Sequence, residues 1–320
     1  MRTSPPRRSI PTWIGNMSRK STATSTRAKG MEMFDRLSNS PGEAYLDPDL
    51  ILSRLRTRRF GQPLYAFDSL GSTNQVCWRL ALDGYPEGTT VIAEEQTRGR
   101  GRRGRTWHSP RGLGLWFSVL LRPYGHARHS WLLSLAMSLP VAATVRKLYG
   151  LPAGVKWPND VWIRKRKVAG VLVEGSVSGP SFTQAVVGVG INVNHRREHF
   201  PPELRDHATS IRLELEHPVD RIELLVETLS AMEQVYFQLV RDEAPVLEEW
   251  RRLCTHLGKR VQVMGQFGTR IGTFLDLGPD GSIVLSDSTG RTDLLRPDDL
   301  LPLEESPCCS RSMSGIRTSS

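Results

Sequence analysis

Gly99-Arg100-Gly101-Arg102-Arg103-Gly104-Arg105 is the most informative segment of the chain. Its glycines match G-x-G-x-x-G literally. A dinucleotide-binding fold, however, needs a helix directly after those glycines and an acidic residue about 20 positions further on. Here Gly104 leads into Thr106-Trp107-His108-Ser109-Pro110 and then an apolar strand pattern, so that fold is rejected. The P-loop reading also fails, because no Gly-Lys-Ser/Thr follows. Three readings stay open. Arg/Gly-rich arms bind nucleic acid. A mobile anion-binding loop uses glycines for close backbone approach and arginines as planar donors to phosphate or carboxylate. A solvated basic turn is the plain alternative, although such a turn rarely needs three glycines so tightly spaced.

Working outward, the pattern alternates strands and helices. Strands are expected over 91–94, 115–121 and 185–193, and a hairpin over 161–163 and 168–174. A buried helix spans 130–148, with Pro140 marking a kink or boundary. A long helix covers 219–240, with Asp220 near its start, and a short one covers 47–56, opened by Asp47-Pro48. This is an α+β chain, a mixed β-sheet with packed helices. After Gly258 the texture changes to short strands, 260–264, 269–275 and 282–285. Gly-containing turns separate them, including Asp280-Gly281, a hairpin signal. That segment reads as a small β-barrel. The expected organisation is an extension over 1–60 with one short helix, a main domain over 61–256, a small barrel over 257–304 and a tail over 305–320.

Composition narrows the function classes. The chain has 320 residues and a net charge of +10. Residues 1–30 hold seven Lys/Arg and no Asp/Glu, and residues 98–105 add five arginines. Without those two segments the rest of the chain is slightly acidic, so no broad basic face is expected for nucleic acid. The first 30 residues are too poor in large apolar side chains to build a core. They read as an extension or an early start ahead of Met31 and Met33; an organelle transit peptide is the alternative. No apolar run is long enough to cross a membrane. Cys77, Cys254, Cys308 and Cys309 lack metal-ligand spacing, and a reducing cytoplasm is the simplest home.

Three further segments carry chemistry. Lys156-Trp157-Pro158-Asn159-Asp160, followed by Lys165-Arg166-Lys167-Val168-Ala169-Gly170, places polar groups at a strand end; an ordinary charged hairpin turn reads equally well. Gly71-Ser72-Thr73-Asn74-Gln75 looks like a helix start, where small hydroxyls usually serve as caps. Gly188-Val189-Gly190-Ile191-Asn192-Val193 puts glycines in a strand, for close approach of a ligand or for tight packing.

Taken in order, these segments resemble the biotin–protein ligases. The carriers are the arginine–glycine loop after Glu95-Gln96, then Lys-Trp-Pro-Asn-Asp, then Lys-Val-Ala-Gly-Val-Leu-Val-Glu ending at Glu174, then Gly-x-Gly-x-Asn-Val. The resemblance covers residues 64–302. It implies a class II synthetase-like catalytic domain with an SH3-like C-terminal barrel. It implies an ATP-dependent ligase that forms biotinyl-5′-AMP and transfers biotin to a lysine of a biotin carboxyl carrier protein domain. ATP and biotin are then substrates, with Mg2+, and the metal ligands are not specified. Biotin contacts are implied for Ser72, Thr73, Asn74, Gln96, Arg100, Gly101, Arg102, Trp107, Lys167, Gly170 and Gly188. Nucleotide contacts are implied for Arg102, Arg103, Arg105, Lys156, Asn159 and Asn192. Lys167, Arg102 and Asp160 are the catalytic candidates. Lys167 meets both the biotin carboxylate and the α-phosphate; Asp160 orients or accepts a proton from the incoming lysine.

Some members also carry an N-terminal DNA-binding module. Residues 31–63 offer one short helix, so no DNA partner is expected, and no membrane; a homodimer is compatible with the resemblance. A lipoate–protein ligase and a nucleic-acid-binding regulator are the rival readings.

Overall fold

The computed structural model describes residues 45–303, except 124, 127–128, 179–180, 266–267 and 297–298. The expectations for residues 1–30 and for the tail lie outside the described residues. The chain divides into two compact units, one ending at Thr255 and the other beginning at His256.

The first unit is built on an eight-stranded mixed sheet. Its strands are β1 (Leu64–Phe67), β2 (Thr90–Ala93), β3 (Gly114–Leu121), β4 (Gly125–His126), β5 (Ala153–Lys156), β6 (Asp160–Ile163), β7 (Arg166–Ser178) and β8 (Ser181–Asn192). The order is β1-β2-β3-β8-β7-β6-β5, with β4 paired to β8. Only β1 and β2 run parallel; β2–β3, β3–β8, β8–β7, β7–β6 and β6–β5 are antiparallel. β3 is buried along its whole length, which explains its apolar run, interrupted by Ser118. The hairpin read from 161–163 and 168–174 is β6–β7, closed by Arg164 in the left-handed region at φ 56°.

Helices start where the caps place them. Asp47 accepts from the N–H groups of Asp49 and Leu50 and opens α1 (Pro48–Arg54). Ser72 stands at the cap of α2 (Thr73–Leu82) but makes no side-chain cap bond. The expected helix over 130–148 is two helices, α3 (His129–Ala136) and α4 (Ser138–Tyr149). Pro140 lies in the first turn of α4, where no intrahelical N–H is required, so the break falls just before it. α5 (Ile211–Leu215) and α7 (Ala244–Leu253) escaped the sequence reading. α6 (Arg221–Arg241) begins at the Asp220 cap, whose carboxylate accepts from Ile222 and Glu223. One face of the sheet, carrying Leu120 and Val186, packs against Val76, Cys77, Leu80 and Ala81 of α2.

The second unit is a five-stranded antiparallel sheet in the order β12-β11-β10-β9-β13. Its strands are β9 (Arg260–Gly265), β10 (Gly268–Leu277), β11 (Ile283–Ser286), β12 (Thr292–Leu295) and β13 (Asp299–Pro302). Alternation along them buries Val261, Val263, Phe274, Leu277, Ile283, Leu285 and Leu300. Gly281 has φ 80°, as its turn requires. The arrangement fits a small barrel-like domain; β12 and β13 were not visible in the sequence pattern.

Candidate active site

The site is a trough across the middle of the sheet, made by glycines in register. Gly188 pairs with Ser118 of β3 on one side and Leu172 of β7 on the other. Gly190 pairs with Trp116 and Gly170, and Gly170 pairs in turn with Asp160 of β6. A side chain cannot be added here. A Cβ on Gly188 would lie 2.0 Å from Asn74 Oδ1, and one on Gly190 would lie 2.4 Å from Trp107 Nε1. The Trp107 ring also lies against Gly170, 3.1 Å from where a Cβ would be. Close approach, not packing of the strand on itself, explains the Gly-x-Gly pattern. Trp107 Nε1 is buried with no hydrogen-bond partner among the described residues.

A polar network lines one end, at the start of α2. Gln96 Oε1 accepts from the Thr73 N–H at 2.8 Å, and so does the work of the absent Ser72 cap. Gln96 Nε2 donates to Ser109 Oγ at 3.0 Å. Ser118 Oγ lies 2.7 Å from Thr73 Oγ1 and 2.6 Å from Asn74 Oδ1. Ser72, Thr73 and Asn74 are all buried. Ser118 was missed by the sequence reading; a lone hydroxyl inside the apolar run Leu115-Trp116-Phe117-Ser118-Val119 was the available signal.

At the other end lies the charge. Lys167 Nζ is 2.6 Å from Asp160 Oδ1 and 5.1 Å from the Trp107 ring centroid. Its backbone is clipped by a second segment: its N–H donates to His207 O, and Thr209 N–H donates to its carbonyl. Nothing in the sequence pattern pointed to 207–209. The same segment receives Asn192 Nδ2 on Thr209 O at 3.1 Å.

The arginine–glycine loop is a tight hairpin. Gly101 N–H donates to Arg105 O at 2.7 Å and Trp107 N–H to Gly99 O at 3.0 Å. A Cβ on Gly99 would sit 2.3 Å from Trp107 O, and Arg103 takes φ 59° at the tip. Arg100 pairs with Glu174 at 2.7 Å. Arg102 reaches Asn159 Oδ1 at 3.4 Å and lies over Trp131, 5.9 Å from its centroid. Trp131 itself stacks on the buried Trp157 at 6.2 Å. Asn159 Nδ2 donates to Val171 O, which holds the Trp-Pro-Asn-Asp turn against β7. Arg103 and Arg105 are exposed. Lys156 is buried, with its ammonium over the Trp162 ring at 5.3 Å.

Two anions and a planar polar ring fit this geometry: cations at one end, hydroxyl and amide groups at the other, an indole floor between. Cys77 offers no nucleophile, since burial pushes its thiol up.

Comparison with known proteins gives the same reading. Residues 66–192 match the biotin/lipoate A/B protein ligase family. The chain is 32% identical over 256 residues to the bifunctional ligase/repressor BirA of Bacillus subtilis, covering 80% of this chain and 78% of that protein. It is 32% identical to the biotin–[acetyl-CoA-carboxylase] ligase of Paracoccus denitrificans, covering 69% and 92%. The biotin protein ligase of Aquifex aeolicus, solved with biotin and ATP, superposes with a TM-score of 0.65 at 30% identity, covering 75% of this chain and 99% of that one. With a likeness that runs through both sequence and fold, the chain belongs to the biotin–protein ligase family.

Proposed function

We propose that this chain makes biotinyl-5′-AMP from biotin and ATP and passes the biotin to a lysine of a carboxylase carrier domain, with Lys167 and Arg102 at the reacting anions. The observation that carries the residue assignment is the Lys167 ammonium, held over Trp107 and beside Gly170 at the charged end of the trough.

In the first step a biotin carboxylate oxygen attacks the α-phosphorus and pyrophosphate leaves. Both reactants are anions, so cations must stand between them, and preorganised charge is the largest single contribution in such reactions. Lys167 is preorganised by its backbone clip and by Asp160. Arg102, drawn in over Trp131 and Asn159, adds a second cation. In the second step the carrier lysine's neutral amine attacks the acyl carbon, AMP leaves, and the amine loses a proton. Asp160, the carboxylate nearest Lys167, serves as the orienting or accepting group. Ser72, Thr73, Asn74, Gln96, Arg100, Gly101, Trp107, Gly170 and Gly188 form the biotin pocket. Asn159, Asn192, Arg103 and Arg105 flank the nucleotide; Lys156, engaged with Trp162, supports the turn.

Among the described residues no group of three or more His, Cys, Asp or Glu stands ready for a metal. Mg2+ would arrive on the ATP phosphates, as part of the substrate. Among the described residues, also, no helix is long and apolar enough to cross a membrane. The family match spans lipoate ligases too, but the Paracoccus denitrificans relative and the Aquifex aeolicus structure are both biotin ligases by name, which favours biotin.

The test is biotin-dependent pyrophosphate release, followed by a biotin blot of an apo carrier domain. Lys167→Ala should cut pyrophosphate release about 100- to 1000-fold, the cost of one lost oxyanion donor. Near-normal release by the variant would overturn the assignment.

A further inference from the structure

Glu174 has no part in the reaction as assigned above, yet among the described residues it is the carboxylate that touches both the pocket and the loop. It lies on β7, paired with Val186 and one inward-facing position beyond the Leu172–Gly188 pair. Its Oε2 accepts from Asn74 Nδ2 at 2.8 Å and its Oε1 from Arg100 Nη2 at 2.7 Å.

The consequence for the pocket is chemical. Asn74 is 3% exposed, and the carboxyamide has a donating end and an accepting end. A carboxylate only accepts, so Glu174 requires the NH2 end of Asn74. The carbonyl end then faces Ser118 Oγ at 2.6 Å, and Ser118 must give it its single proton. The Thr73 hydroxyl, 2.7 Å from Ser118 Oγ, donates to Gln96 Oε1 at 3.1 Å. One charge thus sets the direction of two successive hydrogen bonds, and with it the pattern of donors and acceptors offered to a ureido ring. The other oxygen ties this pattern to Arg100 in the hairpin.

We propose that Glu174 is the positioning residue that fixes the polarity of the biotin pocket and couples it to the arginine–glycine loop through Arg100. The proposal rests on the biotin reading of the trough. The Glu174–Arg100 pair is half-exposed, with side chains 32% and 46% accessible, so its charge contributes little to folding. Its role is in orientation, and the two roles separate by experiment.

Glu174→Gln keeps the shape but offers a donor as well as an acceptor, so Asn74 is oriented only by its long contact to Leu172 O at 3.5 Å, and Arg100 loses its anion. Steady-state assays with biotin, ATP and an apo carrier domain should show the KM for biotin raised about tenfold, the loss of one charge-assisted contact, with the KM for ATP and the Tm unchanged. Glu174→Asp, which keeps the charge, should recover part of the loss. A wild-type biotin KM in Glu174→Gln would overturn the proposal. So would a raised KM matched by a fallen Tm, with Glu174→Asp no better, the mark of a residue that only holds the sheet. If the wild-type chain fails to biotinylate the carrier, it is the ligase reading that falls; if wild type works and Glu174→Gln binds biotin normally, only this proposal does.

Discussion

At the residue scale, the site shows how a neighbour, not a residue's own chemistry, decides its role. Thr73 is capped by Gln96 from another loop, and Lys167 takes its place from a carbonyl and an N–H at 207 and 209. His195, packed against Trp116, makes the same point in reverse. It is fully buried, stacked on Phe200, and neither ring nitrogen has a partner among the described residues. Burial, with smaller contributions from His108 and His199, pulls its pKa down to about 3. An unfolded histidine titrates near 6.5. Its folded pKa lies below the unfolded one, so the unfolded chain takes up a proton that the native state refuses. Stability is therefore full above about pH 6.5 and falls as the pH drops toward 3. His195→Phe, which keeps a stacking ring, removes this proton uptake. On going from pH 7.5 to pH 5 the variant should lose about 2 kcal/mol less than wild type, read from urea midpoints at each pH. Equal losses in the two chains would count against a neutral buried imidazole.

At the scale of the element, the arginine–glycine segment is a hairpin with its own backbone bonds, so its shape does not depend on its arginines. Arg102 is the side chain that carries the hairpin to Asn159 and Trp131. Arg102→Gly should leave the Gly101–Arg105 and Gly99–Trp107 bonds intact while releasing the hairpin from the Trp-Pro-Asn-Asp turn. The reactive anhydride is then less well shielded and escapes. With ATP, biotin and serum albumin, the variant should label albumin severalfold more than wild type does. Albumin labelled no more than by wild type would remove the retaining role. The two-helix form of 129–149 is a second lesson at this scale. Apolar periodicity ran through the break, and only the proline marked it.

On the scale of the whole molecule, Arg221 at the start of α6 meets Glu94 at the end of β2, with both side chains buried. Arg221 also donates to Gly114 O, and Glu94 receives the Leu46 N–H at 2.6 Å. Four segments distant in sequence thus converge just before the Gln96 turn. Breaking one side of such a pair strands a buried charge. Arg221→Met should lower the unfolding free energy by about 3–5 kcal/mol in urea titration, and adding Glu94→Gln should restore part of it. A loss below 1 kcal/mol for the single variant would mean that the pair behaves as an exposed one.

The class of fold and the identity of the chemistry are legible in the sequence alone. Period-two and period-3.6 patterns, the Asp47 and Asp220 caps and the Asp280-Gly281 turn are local signals, and local sterics and hydrogen bonding suffice to produce them. The motif set around Arg102, Lys167 and Gly188 was legible for the same reason: each motif is a short contiguous run. The tertiary structure alone decided which side chains complete those motifs. The hydroxyl of Ser118, the carboxylate of Glu174, the Trp131 ledge and the clip at 207–209 reach the trough by strand register and by loops 29 to 100 residues away in the chain. No short-range pattern encodes a cross-strand neighbour, because register is set by the burial of whole faces rather than by any one residue.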